Sequence, residues 1–192
     1  MLFRSVTLRL ALELRGVPCL DLEQDIPDRK SIMSSRSFGR PVTTLADMRE
    51  AVASYTVRAA EKLRRQHLAT AHLTVFIETN HFKPDEAQHC TSRSVHLPVA
   101  TSDSGKLIGA AFAGLKSMWR EGYRYKKAGV MLLDLHPAAA AQEGLFDKAD
   151  SPRRVVLMRT IDRLNLRFGR DTVSFAAAGG RRPWKLARSG RS

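Results

Sequence analysis

Between residues 30 and 137 the apolar side chains switch repeatedly between a spacing of two and a spacing of three to four, and that alternation leaves few folds open. Leu45, Met48, Val52, Tyr55, Ala59 and Leu63 form one helical stripe. Arg49, Lys62, Arg64 and Arg65 fall largely off it, and Thr44 with Asp47 is placed as a capping pair. A second stripe, Leu107, Ile108, Ala111, Phe112, Leu115 and Trp119, starts behind Ser104, read as its cap, and ends at Gly122. Four further stretches read as strands: 30–38, closed by a turn at Gly39 and Pro41; 72–79; 91–97, ending before Pro98; and 123–135. The order strand, helix, strand, strand, helix, strand is that of a ferredoxin-like α+β domain. In that arrangement a four-stranded antiparallel sheet carries two helices on one face and leaves the other open, so that face can take a ligand.

The flanks read differently. In 2–15, Val6, Leu10 and Leu14 lie at helical spacing behind Leu2 and Phe3, with Gly16 as a left-handed cap, which predicts a short amphipathic helix in need of a partner. Residues 17–29, with Pro18, Pro27 and several acidic or amide side chains, read as a linker. Residues 138–150 are alanine-rich, then acidic and irregular. Ser151 and Pro152 next cap a third helix with Leu157, Ile161, Leu164 and Phe168 on one face, stopped by Gly169. A short strand over 172–176 and a glycine-rich, basic end follow. The domains are thus 1–16, 17–29, 30–137 and 138–192.

Charge narrows the class of partner. The 32 lysines and arginines exceed the 19 acidic residues by a net +13, which favours a polyanion through phosphate neutralisation and counterion release. Residues 1–29 hold 4 basic and 5 acidic side chains, residues 30–137 hold 16 and 9, and residues 138–192 hold 12 and 5, so the excess sits in the middle and at the end. Cys19 and Cys90 are far apart and neither has a CxxC partner, which argues against a disulfide framework or a zinc motif and suits a reducing cytoplasm. His81, His89 and Cys90 have the wrong spacing for zinc and fall in an expected loop. Arg4, Arg9, Glu13 and Arg15 break up the opening apolar run, so no signal peptide is expected, and no stretch approaches a membrane span.

Within the expected sheet, Arg124, Lys126 and Lys127 on one strand and Ser35, Arg36 and Ser37 on another are the residue types that hold phosphates without reading sequence. Alternation turns Ala128, Val130 and Leu132 toward the helices and Lys127, Gly129 and Met131 outward; it turns Val95 and Leu97 inward, and Ser94 and His96 outward. Period two groups Arg36 with Ile32 and Phe38, which leaves its face open. Ordinary solvated charges on a sheet are the competing interpretation. Trp184, among Arg181, Arg182, Lys185 and Arg188, reads equally as a base-stacking side chain and as a docked apolar anchor.

Several strings resemble the C-terminal region of the UmuC-type Y-family translesion DNA polymerases: Cys-Leu-Asp-Leu-Glu at 19–23, Ser-Arg-Ser-Phe-Gly at 35–39 and Arg-Ala-Ala-Glu-Lys-Leu-Arg at 58–64. Gly-Tyr-Arg-Tyr-Lys-Lys-Ala-Gly-Val-Met-Leu at 122–132, Asp-Arg-Leu-Asn at 162–165 and Gly-Arg at 169–170 continue the series in order. The resemblance implies that 2–16 is the end of a thumb, 17–29 a tether, 30–137 a little-finger DNA-binding domain and 138–192 the extension typical of this branch. It implies contact with damaged or primer-template DNA through Ser35, Arg36, Ser37, Ser94, His96, Arg124, Lys126 and Lys127.

It further implies that Gln142, Leu145 and Phe146, in Gln-Glu-Gly-Leu-Phe, form a sliding-clamp-binding peptide, the apolar pair filling a pocket and the amide bonding at its edge. The processed UmuD dimer and the RecA filament are implied partners, in the cytoplasm of a bacterium during the SOS response. The paired carboxylates that hold Mg2+ for phosphoryl transfer would lie in a palm upstream of Met1, so the chain alone is expected to need no cofactor and to have no polymerase activity. A free-standing regulator that competes for clamp or DNA, or a gene remnant, is the alternative.

Overall fold

The structure, a computed structural model, describes residues 3–19, 30–140, 149–180 and 184. Helix α1 (Phe3–Leu14) ends where Gly16 takes φ +78 and its amide donates to the Glu13 carbonyl, a left-handed stop as expected. Leu8, Leu10 and Leu14 are exposed along it. The domain proper runs β1 (Ser31–Val42), α2 (Leu45–Arg65), β2 (Leu68–Thr79), β3 (Cys90–Thr101), α3 (Ser104–Met118) and β4 (Tyr125–Pro137). All four strands pair antiparallel in the order β1-β4-β2-β3, so β4 and β2 are central and β1 and β3 are edges.

Edge position explains why two proline signals misled the sequence reading. Pro41 and Pro98 lie inside β1 and β3, where an N–H pointing away from the sheet has no ladder bond to lose, and the strands run through them. What reads as a turn at Gly39 and Pro41 is a bulge. The register passes from Ser37 opposite Lys127 to Val42 opposite Tyr125, leaving 38–41 looped out of the ladder.

Helices α2 and α3 cover one face. Thr44 Oγ1 accepts from the Asp47 amide at 3.2 Å, as its capping position predicts, and Lys62, Arg64 and Arg65 in the last turn of α2 complement the helix dipole. The cap of α3 is Asp103, one residue earlier than expected, and the helix stops at Trp119 before Gly122. Met48, Val52, Tyr55, Leu63, Leu107 and Leu115 close on Leu73, Val75, Ile77, Ala128, Val130 and Leu132 from the sheet. Burial of these apolar side chains is the main stabilising term.

Helix α4 (Pro152–Phe168) lies across the ends of α2 and α3. Arg64 holds it in a fork, donating to both Asp162 oxygens at 2.7 Å and to Ser102 O and Ser104 Oγ at 2.7 and 2.9 Å. Arg154 likewise bonds both oxygens of Asp103. These ion pairs set the rotation of the helix. Met158 is its buried residue among those described, while Leu157 and Phe168, expected to face inward, are exposed. The expected strand at 172–176 is absent; a 3₁₀ turn over Ala176–Ala178 packs instead on Ala53 and Ile108. Trp184 is docked between Phe38 and Tyr55, with ring centroids 5.8 and 5.9 Å away, and its carbonyl accepts from the Gly39 amide. The anchor reading of Trp184 is therefore the one the packing follows.

Candidate nucleic-acid interface

The strand register arranges the uncovered face in rows. Ser37, Lys127, Glu78 and Cys90 form the first, Ser35, Gly129, Phe76 and Ser92 the second, Met33, Met131, Thr74 and Ser94 the third, and Ser31, Leu133, His72 and His96 the fourth. Hydroxyls therefore line both edges, with Lys127, Glu78 and the Phe76 ring between them. Thr74 and Ser94 share a hydrogen bond of 2.8 Å, and the His72 and His96 ring centroids lie 4.2 Å apart with the planes tilted by 58°. His72 and His136 both reach Asp134, at 3.5 and 3.2 Å.

Lys127 sits at the centre of the upper rows. Its ammonium is 3.4 Å from Glu78 Oε2 and 5.4 Å from the centre of the Phe76 ring, so it is steered across the face but left partly exposed. Phe76 is half-buried over Gly129, where only a hydrogen fits.

The structure groups five of the eight expected contact residues: Ser35, Ser37, Ser94, His96 and Lys127 share the open face. The other three lie elsewhere. Arg36 pairs across from Ala128, on the helix side of edge strand β1. Lys126 bends to the bulge, where its Nζ donates to the Phe38 carbonyl at 2.8 Å. Arg124, in the turn before β4, lies 3.5 Å from Glu86 Oε2. The sequence reading did not assign Thr74, Phe76, Glu78 and Ser92 to this face. Alternation against the inward Leu73, Val75 and Ile77 carries that signal for β2.

His89 does not join a metal cluster: its Nδ1 is 2.8 Å from the Tyr125 hydroxyl, and burial, then the charge of Arg120, lowers its pKa. Among the described residues no group of three or more His, Cys, Asp or Glu could hold a metal ion, and no helix is long and apolar enough to cross a membrane. Gln142, Leu145 and Phe146 lie outside the described residues.

A four-stranded antiparallel sheet with helices on one side and a hydroxyl-rich face bearing the Lys127–Glu78 pair on the other defines the class as an α+β domain. Residues 29–145 match the impB/mucB/samB family C-terminal domain, and the chain belongs to that family. Residues 156–192 match a domain of unknown function, DUF4113. The chain is 43% identical over 188 residues to Protein UmuC of Salmonella typhimurium, covering 97% of this chain and 44% of that protein. Protein ImpB of the same organism is 41% identical over the same shares. DNA polymerase IV of Moorella thermoacetica is 30% identical over 155 residues, which are 79% of this chain and 37% of the relative. The chain thus spans less than half the length of these relatives.

Proposed function

We propose that this chain is the part of a lesion-bypass DNA polymerase that grips primer-template DNA and recruits the sliding clamp, without carrying out polymerisation itself. The observation that supports it is the open sheet, on which Ser35, Ser37, Ser94, His96 and Lys127 converge. Hydroxyls and a lysine ammonium hold phosphates in any sequence, which is the indifference that synthesis past damaged bases needs. Phe76 gives the face a flat apolar centre between the polar edges. In this reading Mg2+ and the carboxylates that bind it belong to a palm domain outside this sequence.

Gln142, Leu145 and Phe146 supply the clamp address just beyond β4, and the processed UmuD dimer and the RecA filament are the further partners, in the bacterial cytoplasm during the SOS response. The test is paired binding by the whole chain. K127A weakens primer-template binding similarly across sequences with clamp affinity kept, and L145A/F146A abolishes clamp binding with DNA affinity kept. Unchanged DNA binding in the first variant overturns the sheet assignment, and unchanged clamp affinity in the second overturns the clamp assignment.

A further inference from the structure

Helix α4 carries a cationic surface that the open sheet does not include. Arg159, Arg163 and Arg167 follow one another at intervals of four residues, all exposed, and none has an acidic partner among the described residues. Successive guanidinium stems on such a ridge are about 6 Å apart along the helix axis. That interval is comparable to the separation of neighbouring phosphates on a strand.

The acid on this helix, Asp162, is turned inward and held by Arg64, and Arg154 is held by Asp103. Asn165 adds two bonds to the backbone of Val173, at 2.9 and 2.8 Å. The ridge is therefore fixed in rotation before any ligand arrives, which lowers the entropic cost of binding. At its end Phe168 is 62% exposed, with the Arg167 guanidinium 5.2 Å from the ring centre. An exposed ring beside a cationic track is the arrangement that stacks unpaired bases, and a duplex has no free base faces to offer it.

From this geometry we infer that α4 binds single-stranded DNA through Arg159, Arg163, Arg167 and Phe168. The site is independent of the sheet: α4 is tied to α2 and to the start of α3, which cover the opposite face from Lys127. One duplex lying on the sheet leaves the ridge free for an unpaired strand. The residues fall in the segment that matches the domain of unknown function, and the inference gives that part of the family a role.

The experiment measures anisotropy of a labelled oligo-dT strand and of a blunt-ended duplex with the whole chain across a salt series. R159Q/R163Q/R167Q is expected to lower oligo-dT affinity about tenfold or more and to reduce the log–log salt slope by about 2, at about 0.7 per phosphate lost. F168A lowers affinity with the slope unchanged, and both variants keep duplex affinity. Should circular dichroism show the triple variant unfolded, R163E alone carries the test, with the same direction expected. Unchanged oligo-dT affinity and slope in a folded variant overturns the inference, as does a variant that loses binding to poly-glutamate but not to oligo-dT, which assigns the ridge to an acidic protein. Loss of duplex binding in K127A is read separately, so failure of the sheet and failure of the ridge are distinguishable.

Discussion

Phe76 lies over Gly129 so closely that a Cβ at 129 would be 2.7 Å from Phe76 Cε1 and closer still to Phe76 Cζ and Ser35 Cβ. Glycine is needed there for space, since no positive φ is involved. G129A is expected to push the ring off the sheet and to destabilise the domain by about 1–3 kcal/mol, the usual cost of overpacking. Urea unfolding measures this, and a midpoint equal to wild type would contradict the placement of the ring.

Lys126 and Lys127 are neighbours in sequence with different expected effects. K127A should weaken DNA binding and lower the salt slope by about 0.9. K126A removes the bond to the Phe38 carbonyl, so it should cost about 1 kcal/mol of stability while leaving the slope unchanged. E78Q frees Lys127 and should raise DNA affinity. Equal slopes in K126A and K127A would refute the division.

Trp184 is 3% exposed against Phe38 and Tyr55. W184A is expected to cost about 3–5 kcal/mol. W184F should cost less, because the indole N–H has no hydrogen-bond partner to lose. Iodide should fail to quench Trp184 emission, measured in a Trp119→Phe background, and DNA should not alter it. Quenching by DNA would revive the base-stacking role.

Asp103 links pH to the junction of α3 and α4. Burial pushes its carboxyl up, but the Arg154 guanidinium and the amides of Lys106 and Gly105 outweigh that and hold it below the ordinary carboxylate range. A carboxyl depressed in the fold stabilises fully above its unfolded pKa, near 4, and loses that stabilisation as pH falls through its folded value. Wild type should therefore exceed D103N in stability at pH 7, and the gap should close below about pH 4. A gap independent of pH would show that the charge on Asp103 contributes nothing.

The architecture was legible because the core positions repeat. Leu45 to Leu63 and Leu107 to Leu115 announce their helices, and Val75, Ile77, Val130 and Leu132 alternate cleanly. Strand limits were not, since Pro41 and Pro98 signal a stop unless edge position is known, and that depends on pairing between distant segments. The rotation of α4 was hidden for a similar reason. Its apolar residues favour burying Leu157 and Phe168, but the ion pairs of Asp162 and Arg154 with α2 and α3 turn Met158 inward. In the candidate interface, Lys127, Ser94 and His96 could be placed by alternation. Arg36 and Lys126 fall in phase with the inward Ile32 and Ala128, so period two sets them off the open face, and only their residue type had suggested a phosphate contact.

The clasp between Trp184 and the Phe38–Gly39 bulge bears on how the chain is made. Strand β1 emerges from the ribosome early, and its outer edge stays without the tail's hydrogen bond until residue 184 is free to return to it. Such a closure between distant parts of the chain carries a large loop entropy and comes late in folding. Until then the nascent domain offers an exposed strand edge and an unfilled slot between Phe38 and Tyr55, the surfaces by which unfinished chains pair with one another and which chaperones bind.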